Sequence, residues 1–138
     1  MKRLLGFASM FSIGALGYGI IEIIWRGRTH WSMLTAGGVC FVLLGKISDK
    51  MKNTTRFVRV IAGSAVITTI EFIYGIIFNK IFKLKVWDYS KVPFNIMGQI
   101  CPIYSVLWGF LCIPFMPLAE KVYKKISPTC KRGKIVIE

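Results

Sequence analysis

"MKRLLGFASMFSIGALGYGIIEIIW" (residues 1–25) opens with two basic residues and then runs from Leu4 to Trp25 with a single charged side chain, Glu22. A secretory leader has the same basic start, but its apolar region covers only about 7–15 residues and ends at a small-x-small cleavage site. This run is longer and has no clear site of that kind, so it predicts a retained membrane span. Three more blocks of the same character follow, placing four spans at residues 4–25, 31–47, 57–78 and 96–118. Each approaches the ~20 residues that cross a hydrocarbon core of ~30 Å. Gly37 and Gly38 sit within the short second block, and Pro102, Pro114 and Pro117 in the fourth predict kinks or a bent start there.

Composition agrees with this reading. Of the 138 residues, 54% are hydrophobic, and they are gathered into blocks rather than spaced at a period of 3.6 as in a soluble amphipathic helix. The expected class is an all-α integral membrane protein with four transmembrane helices. Residues 1–118 would form the membrane domain and residues 119–138 a basic cytoplasmic tail.

The net charge of +13 would suggest nucleic acid in a soluble chain. Here the basic residues sit in the breaks between spans and in the tail, not along a helix face, so membrane topology explains them and a nucleic-acid partner is not expected. Lys2, Arg3, Lys46, Lys50, Lys52, Arg56 and Arg59 fall on one side of the spans, together with Lys121, Lys124, Lys125, Lys131, Arg132 and Lys134. They outnumber Arg26, Arg28, Lys80, Lys83, Lys85 and Lys91 on the other side by about two to one, which predicts cytoplasmic N and C termini.

Cys40, Cys101 and Cys112 lie inside apolar runs and Cys130 in the tail, with no Cys/His spacing of a metal or disulfide framework. Buried thiols are the expectation, with no metal and no cofactor.

An internal repeat is suggested by "IIEIIW" (20–25) and "TIEFIY" (69–74), offset by 49 residues. Each Glu is followed by a Trp (Trp31, Trp87) and then by Gly-x-x-Cys, at Gly37–Cys40 and Gly98–Cys101. Two helical hairpins repeated in one orientation would be related by an axis along the membrane normal, where sites form in such folds. Chance matches in apolar sequence give the alternative.

Glu22 and Glu71 are the strongest functional signals, because a carboxylate within a span costs roughly 2.5–3.5 kcal/mol at a helix centre and must face a partner, the bundle interior or a cavity. Ala15, Gly19, Glu22 and Arg26 share one helical stripe, as do Ser64, Thr68, Glu71 and Gly75. Small and polar residues there let helices approach and hydrogen-bond. The competing reading makes Glu22 an interfacial partner of Arg26 and Glu71 a helix–helix contact.

"RGRTHWSM" (26–33) joins the first two spans and holds the only histidine, His30. With Arg26 and Trp31 it could bind an anion or line an entrance, or simply meet lipid headgroups. In "VWDYSKVPFNIMGQICPIYSVLWG" (86–109), Trp87 and Tyr89 suit the interface, Pro93 favours a loop, and Asn95 is a candidate N-cap for the fourth span. Asp88, Asn95 and Gln99 lie on the same side as Glu22 and Glu71, so a shared polar vestibule is expected. The candidate substrate-binding set is therefore Glu22, Arg26, His30, Trp31, Glu71, Trp87, Asp88, Tyr89, Asn95 and Gln99.

"TTIEFIYGIIFNKIFKLKV" (68–86) followed by "WDYSKVPFNIMGQICPIYSVLWG" (87–109) resembles the hallmark of the CmpB-like putative ABC-transporter type IV family: a Glu-bearing helix, Trp-Asp-Tyr-Ser, Pro-Phe-Asn, Gly-x-x-Cys and Trp-Gly. "GYGIIEIIWRG" (17–27) resembles that family's first Glu-bearing segment. "THWSMLTAGGVC" departs from the pattern that follows it in relatives. The resemblance implies a transport permease in a bacterial cytoplasmic membrane. It carries no substrate or catalytic residue across.

Three functions follow from these observations. The first is a small permease that moves or binds a solute or ion through the polar pocket, as a homo-oligomer among membrane lipids. Since the chain lacks Gly-x-x-x-x-Gly-Lys-Ser/Thr, it would need a separate ATPase subunit. The second is a structural or sensory membrane protein whose basic tail binds anionic lipid or a partner protein. The third is a membrane-embedded lipid enzyme, for which no nucleophile with an adjacent base is present.

Overall fold

The structure, a computed structural model, describes residues 2–126 and is all-helical. Helix α1 covers Lys2–Arg26, α2 Trp31–Lys50, α3 Arg56–Tyr74 and α4 Pro102–Ile126, and α3 continues as a π-helical segment over Gly75–Ile81. Four helices, Leu4–Arg26, Trp31–Lys50, Arg56–Ile81 and Pro102–Ile126, are long and apolar enough to cross a membrane. The tail residues Cys130, Lys131, Arg132 and Lys134 lie outside the described residues.

Local chemistry sets the helix ends. Gly27, with φ of 76°, closes α1 as its N–H reaches the Ile23 carbonyl at 2.8 Å, the left-handed termination that glycine adopts at least cost. Thr55 caps α3 by accepting the Val58 N–H at 3.3 Å. The ladder slips at Gly75, whose N–H faces the carbonyls of both Glu71 and Phe72, and the π-helix ends with Phe82 N–H on the Ile77 carbonyl at 3.0 Å. Such slips are rare, and they occur often beside functional residues.

The fourth helix begins at Pro102, not at residue 96. Proline is pre-set for the first helical turn, and it disfavours helical backbone in the residue before it. Phe94, Met97 and Gly98 all have positive φ, and Ile96 pairs with Ile100 in an isolated bridge. Asn95 therefore caps no helix. It staples the loop, donating to the carbonyls of Ser90 (3.2 Å) and Val92 (2.8 Å) and accepting the Gly98 N–H at 2.9 Å. At its far end α4 continues beyond residue 118 to Ile126, with Pro114 and Pro117 inside it.

Helix α2 is the central element: half of its span is buried, against 17% for each of the others. Its glycines make this possible. A Cβ on Gly37 would lie 2.5 Å from the Tyr18 Cβ, so α1 and α2 are in backbone-to-backbone contact there. One core cluster, Met10, Phe41, Leu44, Cys112, Met116, Ala119 and Tyr123, fills the half towards residues 51–55, called here the lower end. A second, Met33, Val86 and Trp87 with Tyr18, Tyr74, Phe78 and Tyr89 around them, fills the upper end under the long 82–101 connection.

Polar ties hold the apolar helices in register. Ser64 donates to the Ser105 carbonyl at 2.6 Å, and Thr68 Oγ1 lies 2.8 Å from Ser105 Oγ, so the polar stripe of α3 faces α4. At the lower end Glu120 of α4 accepts from Ser48 of α2 (2.6 Å), Arg59 of α3 (3.3 Å) and its own helix's Lys124 (2.8 Å). One carboxylate thus joins three helices.

Candidate functional site

Two carboxylates near the upper end, Glu22 and Glu71, are buried, but their surroundings differ. Glu22 is fully engaged: Thr29 donates to Oε1 at 2.6 Å, Tyr18 Oη lies 3.4 Å from Oε2, and Arg26 forms an ion pair at 3.6 Å one turn on. Arg26 in turn donates to the Val86 carbonyl at 3.2 Å, which clamps the end of α1 to the long connection. The charge of Glu22 is balanced by its own helix.

Glu71 has no such balance. Its Oε2 accepts the Tyr89 hydroxyl at 2.9 Å and its Oε1 the Trp108 indole N–H at 3.3 Å. Both donors are neutral. Among the described residues no cationic side chain lies within ion-pair distance of Glu71. A carboxylate accepts about four hydrogen bonds, so capacity remains on both oxygens.

Glu71 lines a partly open cavity of about 270 Å³ with walls from all four helices, and among the described residues it is the only acidic or basic side chain in the lining. Aromatic rings supply much of the wall around it, from Tyr18, Tyr74, Trp87 and Trp108, and Gly17, where an added Cβ would meet nothing within 4 Å, leaves room. A second cavity, about 360 Å³, lies between the upper halves of α1 and α4 under Trp87 and Tyr89, and is lined by Glu22, Arg26 and Tyr104 among others. Tyr18, Ile21, Met33, Trp87, Trp108 and Leu111 line both. The two spaces therefore adjoin, with the rings of Tyr18 and Trp108, 6.1 Å apart, between them.

The 82–101 connection builds the roof. Trp87 is buried and donates its indole N–H to the Gln99 carbonyl at 3.0 Å. Asn79 joins the end of α3 to this loop twice, donating to Gln99 Oε1 at 2.8 Å and accepting the Val86 N–H at 2.7 Å. Gly75 lets Gln99 approach, because a Cβ there would fall 2.5 Å from Gln99 Oε1. Tyr89 stacks on Tyr104 at 4.6 Å with an interplanar angle of 11°, which aims its hydroxyl at Glu71. Burial, and then the Glu71 carboxylate, push the Tyr89 phenol well above its ordinary range, so it is held as a neutral donor.

Of the ten expected site residues, Glu22, Arg26, Glu71, Trp87 and Tyr89 converge on these cavities. The other five do not line them. Asp88 is exposed and accepts the Ser90 N–H at 2.9 Å, a turn contact that holds its carboxyl below the usual carboxylate range. Asn95 is spent inside the loop, and Gln99 between the Met97 carbonyl and Asn79 at the end of α3. His30 caps α2, its Nδ1 accepting the Ser32 N–H at 3.2 Å, and Trp31 is exposed with its ring against Phe78 at 5.4 Å. Trp31 and Trp87, the tryptophans that follow the two Glu segments, thus occupy different settings.

The residues that sequence reasoning passed over are Tyr18, Tyr74, Tyr104 and Trp108. Tyr18 stands one turn before Glu22, a spacing that was readable. Trp108 reaches Glu71 only because α3 packs on α4.

The family described as Putative ABC-transporter type IV matches residues 9–137. No curated protein and no solved structure matches the chain.

Proposed function

Because the chain belongs to the Putative ABC-transporter type IV family, we propose that it is the membrane-spanning component of a transporter and handles a small solute through the cavity that holds Glu71. The observation that carries this reading is Glu71 itself. It is a buried carboxylate with only neutral donors, lining a cavity, whereas the other buried carboxylate of the upper end, Glu22, is paired with Arg26 on its own helix. Leaving a charge uncompensated in an apolar bundle is costly, and a ligand that supplies the missing charge repays that cost.

In this reading Tyr89 and Trp108 fix the carboxylate, while Glu22 with Arg26 holds the end of α1 against the roof. The protein sits in a bacterial cytoplasmic membrane with both termini cytoplasmic, works as a homo-oligomer because four spans barely enclose a pathway, and couples to a separate ATPase subunit because its own sequence has no phosphate-binding loop.

Gentle extraction of the tagged chain followed by native mass spectrometry tests the proposal. The expected result is an ATPase subunit bound to wild type and to Glu71→Gln alike, with a small ligand carried by wild type alone. Equal ligand occupancy in Glu71→Gln would remove Glu71 from the mechanism.

A further inference from the structure

We infer that the Glu71 cavity is built for an apolar organic cation, a quaternary or charge-delocalised ammonium or phosphonium type, held by the carboxylate and by aromatic ring faces. The inference rests on the reading of Glu71 as the ligand-facing group and adds the chemical class.

The sign comes first. Among the described residues Glu71 is the only acidic or basic side chain lining the partly open cavity, and its two hydrogen bonds come from neutral donors, so its ionised form has no cationic partner in the protein. An anionic ligand would be repelled there. In the adjoining space the one cation, Arg26, is already matched by Glu22 at 3.6 Å.

The rings decide what kind of cation. Their polar handles are used elsewhere: Tyr18 Oη points to Glu22, the Trp87 N–H to the Gln99 carbonyl, and the Trp108 N–H to Glu71. What Tyr18, Trp87 and Trp108 present to both cavities is therefore ring surface, and an aromatic face attracts a cation through its quadrupole. A metal ion of the oxygen-seeking kind needs six or so oxygen ligands, and the lining offers one carboxylate and two phenols among apolar side chains. A primary ammonium brings three N–H donors, for which this wall offers only the remaining capacity of Glu71 and the phenol oxygens, whereas a cation without donors leaves nothing unpaired.

The test is binding of labelled tetraphenylphosphonium to the full chain in lipid nanodiscs, with tetraphenylborate, an anion of the same shape, as the counter-probe. Saturable binding of the cation and none of the anion is expected. Glu71→Gln should weaken cation binding by about tenfold or more, and Trp108→Phe, which keeps a ring but loses the N–H, by less. Should Glu71→Gln fail to fold, dicyclohexylcarbodiimide on wild type serves instead: tetraphenylphosphonium must protect Glu71 from modification, and tetraphenylborate must not.

Binding of both ions alike, or cation binding undiminished in a folded Glu71→Gln and without protection of Glu71, would overturn the inference. If no cation binds, yet a native ligand is carried by wild type and lost in Glu71→Gln, the class is wrong and the permease reading stands. Cation binding at Glu71 in a protein that recruits no ATPase would leave the site standing and contradict that reading.

Discussion

The hydroxyl of Tyr89 donates to Glu71 Oε2 at 2.9 Å, so a loop residue outside the spans reaches a carboxylate within one. The contact links the roof of the cavity to its single charge. It also joins the two halves of the segment that carries the family resemblance.

Tyr89→Phe removes that donor while keeping the ring stacked on Tyr104. The expected cost is about 1 kcal/mol of stability, the net worth of one such bond, together with a clear loss of ligand affinity as the carboxylate loses its anchor. Thermal unfolding in detergent and ligand titration would check the two effects separately.

Glu22→Gln should behave differently from Glu71→Gln. It breaks an ion pair and leaves Arg26 unmatched beside the buried connection, so it should lower stability by roughly 1–3 kcal/mol while a folded fraction still binds ligand. Glu71→Gln removes an uncompensated charge and should leave the melting temperature unchanged or raise it. The same unfolding assay on both variants reads the contrast.

At the lower end Glu120→Ala removes the acceptor shared by Ser48, Arg59 and Lys124, whose bonds to it span three helices. A loss of roughly 1–3 kcal/mol is expected, with ligand affinity per folded molecule unchanged because Glu120 lies in the half opposite the site. A shift in affinity would show that the two ends are coupled.

Much of this was legible in the sequence. Apolar blocks between basic breaks gave the four helices, and the stripe from Ser64 through Thr68 to Glu71 and Gly75 predicted the face that packs on α4. The start of α4 was not legible, because positive φ at Phe94 and Met97 leaves no compositional mark and Asn95 suits a loop staple as well as a helix cap. Nor was Trp108, which lies 37 residues from Glu71 and meets it through tertiary packing alone. The expected polar vestibule overestimated Asp88, Asn95 and Gln99 for a related reason: short-range turn bonds claim such side chains before a cavity can.

Gly37→Val tests the close packing of α1 on α2 beside the cavity. Its Cβ would meet the Tyr18 Cβ at 2.5 Å and the Gly14 carbonyl oxygen at 3.1 Å, so α1 must move off α2. A penalty of about 3 kcal/mol, the upper range for overpacking, is expected, seen as loss of a monodisperse peak in size-exclusion chromatography.

The central claim is that two buried carboxylates, each beside a cavity, differ in function because Glu22 is paired with Arg26 on its own helix and Glu71 has only neutral donors. Treatment of the membrane-embedded protein with dicyclohexylcarbodiimide, an apolar reagent that adds to accessible carboxyls, followed by peptide mass spectrometry, reads this directly. The adduct should fall on Glu71 and spare Glu22. Modification of Glu22 with Glu71 untouched would contradict the account.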